Sequence, residues 1–402
     1  MAATFATLRG GSRSGLALLL VTFAQLCPLL GWAARDGSLG ARMEALWQSA
    51  ALKGAKIAAV VADPVTGRVL YERASQQALI PASNEKLPVT ACALLLLGPD
   101  YRFRTQVFVG GAVGADGIVQ GPIIVSGSAD PTANADIFPS VAKALAQRGI
   151  RGCRGVLVDG VLTAARDDSG ALSKQRLIEA FARFQLALVP GQELTPVTAA
   201  PIAIMEHASP PVAGIVAQIN KRSVNWLADN LFRSLGWLLA GDKNAAGPCL
   251  RAFWARRGLP LDGVVFADGS GLSRQNRITA AFVVELLRYM YFCRAEWPAF
   301  AASLPVAGRD GTLASRMVRC SAEGRVWAKT GTMHDVCSLS GYAQTLTGRV
   351  LCFSIILNGF SCSQKTARDI LDAAARAIVE LGSASPELQG EVASTGSCTG
   401  PR

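Results

Sequence analysis

Three short groups of residues in this 402-residue chain carry side chains suited to acyl chemistry. Ser83 and Lys86 stand three apart, ahead of a long apolar stretch that ends at Gly98-Pro99. On a helix both would project from one face, one turn apart. A serine hydroxyl attacks a carbonyl only as it loses its proton. A lysine can take that proton only as the free amine, the form that a dry pocket favours. Ser83 is thus the candidate nucleophile, Lys86 the leading candidate base, and the amino end of their helix would offer its dipole to a developing oxyanion. Ser223-Val224-Asn225 is the only Ser-x-Asn in the chain, and Lys329-Thr330-Gly331-Thr332 contains the only Lys-Thr-Gly. Ser223 can pass a proton between Lys86, Lys329 and a leaving amine, while Asn225 can hold Lys86 and meet a substrate amide. On a strand, Gly331 presents no side chain, so a peptide could lie along the backbone as an added strand. Lys329 and the Thr330 hydroxyl would then meet a terminal carboxylate, and the N–H of Thr332 would join that of Ser83 as an oxyanion hole. A free carboxylate beside the scissile bond means exopeptidase work.

Taken singly, each group has a plainer reading. Ser140-Val-Ala-Lys143 repeats the first spacing on what reads as an ordinary helix face. Ser and Asn near 223 also suit a helix cap, and a Lys-Thr-Gly suits a strand running into a turn. Company separates the first pair from its copy: three elements in this order, on helix, loop and strand, form the active-site set of penicillin-binding proteins and serine β-lactamases. Only two histidines occur, His207 and His334, which leaves little room for a histidine-driven nucleophile or a multi-histidine metal centre. His334 reads as a rim residue. Neither a metal nor any other cofactor is expected.

The elements that must position these groups follow from pattern. Half the chain is hydrophobic and 17% is charged, so it can bury a sizeable core and disorder is excluded as its main theme. From Lys56, KIAAVVADPVTGRVLYER reads as a hairpin bent at Asp63-Pro64 and Thr66-Gly67. The apolar segment through Leu97 suits a helix at the centre of a domain. Residues 102–198, with short strand-like runs, many glycines and a helix candidate at 139–148, read as an inserted subdomain. Helical pattern returns at 212–239 and 279–293, followed by three strands between 325 and 358 and a helix at 366–381. Hairpin, helices, three strands and helix imply an α+β body, one antiparallel sheet built from both ends of the chain and flanked by helices, over 34–101 and 199–381. Residues 382–402 read as a disordered tail. Pro88, five past Ser83, predicts a local distortion of the first helical turn.

Residues 1–33 carry Arg9, Arg13 and no acid, then an apolar run from Leu16 to Leu30, the layout of a secretory signal peptide cut after Ala33. Removing them leaves 38 basic and 29 acidic side chains, a net of +9. That charge suits anionic wall polymer or peripheral contact with a membrane surface, and no basic stripe with interleaved aromatics points to nucleic acid. Nine of the ten cysteines remain after the cut, an odd number that cannot all pair within the chain, and no Cys-x-x-Cys occurs. Cys92 and Cys352 sit in apolar runs as small core residues.

With these residues in view, the chain resembles the D-alanyl-D-alanine carboxypeptidase/endopeptidase group of low-molecular-mass penicillin-binding proteins, serine peptidase family S13. The likeness extends to LIPASNEKL (79–87), LGPDYRFRT (97–105), GSADPT (127–132), SPPVAGIVAQINKRSVNWLADNLFRSLG (209–236), ADGSGLSRQNRIT (267–279), LPVAGRDGTLASRM (304–317) and WAKTGTMHDVCSLSGYA (327–343). It implies a penicillin-binding-protein/serine β-lactamase-like transpeptidase fold and a periplasmic serine carboxypeptidase, with the cutting of cross-links as a second activity open to it. Its substrate would be a peptidoglycan stem ending in D-Ala-D-Ala, and β-lactams would acylate Ser83. Only 140 residues separate Ser83 from Ser223, so the resemblance implies a shortened insert. The tryptophan-rich acidic segment of the family's insert is not recognisable between 155 and 198. Two other functions compete: a non-catalytic wall-sensing relative, and a β-lactamase, for which no Glu-x-x-Leu-Asn segment precedes Ser223.

Overall fold

A computed structural model describes residues 37–133, 136–163, 170–189 and 201–382. The expected leader at 1–33 and all but the first residue of the expected tail at 382–402 lie outside these residues.

In chain order, α1 (Gly37–Trp47) precedes the hairpin β1 (Lys56–Ala62) and β2 (Val69–Arg73), and α2 (Lys86–Leu97) follows. The next segment holds β3 (Arg104–Val109), β4 (Ile118–Asp130), α3 (Ile137–Gln147), β5 (Gly152–Thr163), α4 (Gly170–Arg183), β6 (Ala187–Leu188) and β7 (Ile202–Ala208). Five helices come next: α5 (Val212–Arg222), α6 (Asn225–Ala240), α7 (Ala246–Ala255), α8 (Ala280–Phe292) and α9 (Trp297–Ser303). The chain closes with β8 (Val326–Met333), β9 (Val336–Gln344), β10 (Val350–Asn358) and α10 (Gln364–Val379).

The first sheet has the order β2-β1-β10-β9-β8, antiparallel throughout, so the two ends of the chain meet where β1 pairs with β10 from Lys56↔Asn358 to Ala62↔Cys352. The hairpin forms because Asp63 accepts the N–H groups of Val65 and Thr66 and fixes the bend between β1 and β2. Both faces are covered. Ala59, Val61, Leu339, Phe353 and Ile355 turn to one core with α1 and α10, and Ala58, Val60, Tyr342, Cys352 and Ile356 turn to another with α2, α5 and α8. Burial on both faces explains why β1 and β10 read as nearly unbroken apolar runs. Every residue of α2 from Lys86 to Leu94 is buried, and Gly98, at φ +83° and ψ +157°, a conformation only glycine takes readily, ends it before Pro99.

The second sheet, β6-β5-β4-β3-β7, is mixed: β4 and β5 run parallel, while β3 is antiparallel to both β4 and β7. The sequence reading ended this insert at residue 198, whereas β7 continues the sheet to Ala208. Six of its seven side chains are exposed or half-buried, so no apolar alternation announced it. Helix α6 ties this sheet to the first body, with Ser234 Oγ donating to Ala129 O at 2.6 Å and Asn230 Nδ2 to Pro131 O at 3.0 Å. Among the described residues no helix is long and apolar enough to cross a membrane, and all eight described cysteines are free thiols.

Candidate active site

Ser83 does not sit in α2 itself. It lies in a short 3-10 turn, Ala82–Glu85, and the α-helix begins at Lys86, whose N–H bonds back to Ser83 O and Asn84 O. This is the distortion that Pro88 implied. Because Pro88 is the third residue of α2, its missing N–H falls among groups that a first turn leaves free, and the helix continues undisturbed. The turn is itself strained. Ala82 has φ +48°, a conformation an alanine adopts only when its surroundings impose it. The imposition is visible at Gly271, where a Cβ would stand 1.9 Å from Ala82 O.

Behind the half-buried Ser83, Lys86 is wholly inaccessible. Its Nζ donates to Ser83 Oγ at 2.9 Å, to Asn225 Oδ1 at 2.8 Å and, closely, to the Ser270 carbonyl. Burial brings its pKa down to about 8, against the upward pull of Asp229 and Asp268 and, only in its ionised form, of Glu85. An amine so placed reaches its free form near neutral pH.

Asn225 and Ser223 reach the cleft because the 212–240 region is two helices and not one. Ser223 caps α5 in the left-handed conformation (φ +55°, ψ +41°), and the chain re-enters a helix at Asn225. The single helical region expected over 212–239 is split by this break. A residue other than glycine or asparagine at that cap costs about 1–2 kcal/mol, and here the cost aims Ser223 Oγ at Lys329 Nζ, 3.0 Å away.

Lys329, Thr330, Gly331 and Thr332 lie on β8, the edge strand of the first sheet. Lys329 is fully buried, donates also to Thr330 O at 2.8 Å, and is held well below the usual lysine range by burial and by the charge of Lys86. Thr330 Oγ1 shares a hydrogen bond of 2.7 Å with Thr312 Oγ1, and Thr332 is exposed. Ala328 N donates outward to Pro305 O, so strand alternation turns the N–H groups of Thr330 and Thr332 to the same outer edge. Gly331 is required for a different reason from open access alone. A Cβ there would lie 2.2 Å from Ser338 Oγ, 2.8 Å from Pro81 O and 3.0 Å from Ser83 N, so its absence lets the strand press against the nucleophile's turn. Ser338 Oγ donates to Pro81 O at 2.7 Å, and Asn84 Nδ2 to Ser340 Oγ at 2.7 Å, locking turn to sheet.

The decoy pair stays apart from all this. Ser140 and Lys143 lie on α3 of the second sheet, and Ser140 Oγ bonds only back along its own helix to Asp136 O. His334 is exposed at the end of β8. Among the described residues no group of three or more His, Cys, Asp or Glu is placed to hold a metal ion.

Sequence reasoning noted the stretch 267–279 but gave it no task in the site, because what it hands to Lys86 is a carbonyl, which leaves no side-chain signal. Asp229 Oδ1 accepts the N–H groups of Gly269 and Ser270 at 3.0 and 2.7 Å. Asp268 accepts from Gly271 N, Ser273 N and Asn276 Nδ2 at 2.7, 2.6 and 2.8 Å. Asn276 Oδ1 in turn takes Ala267 N at 2.6 Å. This network is what fixes Ser270 O against Lys86.

A hydroxyl beside a desolvated amine, a second hydroxyl beside a second buried amine, and an edge strand with outward N–H groups can together acylate a serine and bind an anionic peptide end. Comparison with known proteins agrees. The profile of the D-Ala-D-Ala carboxypeptidase 3 (S13) family matches residues 39–182 and 189–381. A D-alanyl-D-alanine carboxypeptidase of Actinomadura sp. (strain R39) is 30% identical over 88% of each chain. Carboxypeptidase DacB of Mycolicibacterium smegmatis is 27% identical over 79% of each. In fold, the chain is similar to penicillin binding protein 4 (dacB) of Haemophilus influenzae, with TM-score 0.68 and 18% identity over 84% of this chain and 98% of that one. It is also similar to Bd3459, a predatory peptidoglycan endopeptidase of Bdellovibrio bacteriovorus, with TM-score 0.58 and 17% identity over 81% and 93%. Sequence match and paired Ser–Lys geometry lead to one statement: this chain is a serine peptidase belonging to the D-Ala-D-Ala carboxypeptidase 3 (S13) family.

Proposed function

We propose that the protein is an exported carboxypeptidase that removes the last residue from peptidoglycan stems ending in D-Ala-D-Ala, through an acyl-enzyme on Ser83. The observation that carries this reading is the 2.9 Å approach of Lys86 Nζ to Ser83 Oγ within a fully buried lysine environment. As a free amine, Lys86 takes the Ser83 proton while Oγ attacks the penultimate carbonyl. The oxyanion forms between the N–H groups of Ser83 and Thr332. Lys329, with Thr330 and the outer edge of β8, binds the terminal carboxylate, whose arrival restores the lysine's charge. Ser223, bonded to Lys329, relays the proton to the departing amine, and Asn225 holds Lys86 on line throughout. Water then enters on the side the D-alanine has left, and Lys86 serves again as base for deacylation. A β-lactam presents the same carboxylate and a strained amide, so it acylates Ser83 as a mimic of the peptide end. The leader at 1–33 would deliver the enzyme to the periplasm, where such stems are found.

A fluorescent penicillin tests the nucleophile. Wild type labels covalently, Ser83→Ala does not, and peptide mapping of the adduct returns Ser83. Labelling that survives Ser83→Ala refutes the assignment.

A further inference from the structure

Glu85 lies in the same turn as Ser83, immediately before Lys86. It is completely buried, and neither carboxyl oxygen has a hydrogen-bond partner. Its Cβ packs where a Cβ on Gly271 would stand 3.1 Å away, against the loop that delivers Ser270 O to Lys86. A carboxylate sealed from water with no donor is one of the costliest groups a fold can hold, while a neutral carboxyl in the same place costs far less. Two charged groups act on it directly: Asp268 from the loop and Lys86 from α2. Asp229 of α6 and Lys329 of β8 complete the charges around that lysine. Asp268 accepts three hydrogen bonds, so its oxygens already have donors and Glu85's do not. Burial first, then Asp268, drive the Glu85 carboxyl well above the ordinary glutamate range, against the pull of Lys86.

We propose that Glu85 stands as a neutral carboxylic acid behind Lys86: the carboxyl keeps the proton, and the adjoining amine is the proton-deficient member of the pair. The two neighbours can hold one proton between them in two ways. With the proton on Glu85, Lys86 is a free amine and can accept from Ser83. With the proton on Lys86, the carboxylate is buried without a donor and faces Asp268, and the ammonium cannot act as a base. The three hydrogen bonds of Lys86 go to Ser83, Asn225 and Ser270, so none compensates a Glu85 anion. The inference rests on Lys86 being the base, and it deepens that assignment by naming the neighbour whose neutrality leaves the amine without a buried counter-charge.

The decisive readout is spectroscopic and needs no turnover. In the infrared difference between wild type and Glu85→Gln at pH 7, wild type shows a protonated-carboxyl carbonyl band that the variant lacks. Glu85→Met, an apolar side chain of similar length, assigns the same band should Glu85→Gln not fold. The pH dependence of penicillin acylation supplies the second readout. Removing a neutral group leaves the acid limb within roughly 0.3 pH units of wild type, whereas removing a nearby anion lowers it by about 1–3 units. Absence of the band, or an acid limb lowered by that amount, overturns the proposal. If the band is present while labelling survives Ser83→Ala, the functional reading fails and the protonation state of Glu85 stands.

Discussion

Replacing Gly331 by alanine tests whether contact between β8 and the nucleophile's turn sets the cleft. The added methyl would stand 2.2 Å from Ser338 Oγ, 2.8 Å from Pro81 O and 3.0 Å from Ser83 N. Ser338 can rotate away only by giving up its 2.7 Å bond to Pro81 O, a loss of about 1 kcal/mol. The two backbone atoms cannot rotate. Restoring ordinary contact with Pro81 O requires the strand to retreat by roughly 0.6 Å, an overpacking cost of about 1–3 kcal/mol. The expected destabilisation is therefore about 2–4 kcal/mol, read from denaturant midpoints. Retreat of β8 also carries Thr332 N–H away from Ser83 N–H, and a misplacement on that scale lowers reactivity by about tenfold to a hundredfold. Stopped-flow acylation by a fluorescent penicillin measures it. Adding Ser338→Ala removes the shortest contact but not the two backbone ones, so the double variant regains part of the stability and little of the rate. Wild-type acylation and an unchanged midpoint in Gly331→Ala would refute the reasoning.

Three further outcomes follow from the same geometry. Lys86→Met abolishes acylation yet stabilises the fold at neutral pH, because the fold holds this amine below the pKa it has in the unfolded chain. The sign follows from proton binding: Lys86 titrates near 8 when folded and near 10.4 when unfolded, so the unfolded chain holds the extra proton between those values. Wild-type stability therefore gains about 3 kcal/mol from this group as pH rises through that window, a gain missing in Lys86→Met when midpoints are compared across it. Asn276→Ala removes the acceptor of Ala267 N and a donor to Asp268, loosening the loop that carries Ser270 O. It should cost about 2–3 kcal/mol and slow acylation by about tenfold, with the same assays as readout. Ser140→Ala with Lys143→Ala, in the other Ser-x-x-Lys, should leave penicillin labelling unchanged, and any loss of labelling would show that this second pair matters.

How far the sequence could be read depended on whether a feature is carried by side-chain type or by backbone path. Ser83 with Lys86, Ser223 with Asn225, and the Lys329–Thr332 run could be picked out because acid–base chemistry needs particular side chains, and the fold brings Lys86 within 2.9 Å of Ser83 and 2.8 Å of Asn225, and Lys329 within 3.0 Å of Ser223. The first sheet was readable because its strands are buried runs of β-branched and aliphatic residues between clear turns. What stayed hidden was backbone. Ser270 contributes a carbonyl, Ala82 a positive φ forced by packing against Gly271, and Ser223 a left-handed cap that splits an apparently continuous helical region. Strand β7 escaped because its side chains are mostly exposed and pair through the main chain with β3. Glu85 was passed over as a spacer in Ser-x-x-Lys, since nothing in the letter of a glutamate says that it will be sealed from water.

Release of D-alanine from a synthetic peptide ending in D-Ala-D-Ala is the most direct test of the chemistry assigned to Ser83 and Lys86. Purified full-length protein should free one D-alanine per peptide with repeated turnover, a benzylpenicillin pulse should stop it, and Ser83→Ala should release none. Penicillin labelling of Ser83 without any D-alanine release or cleavage of cross-linked muropeptide would contradict it, leaving a penicillin-reactive protein that is no peptidase.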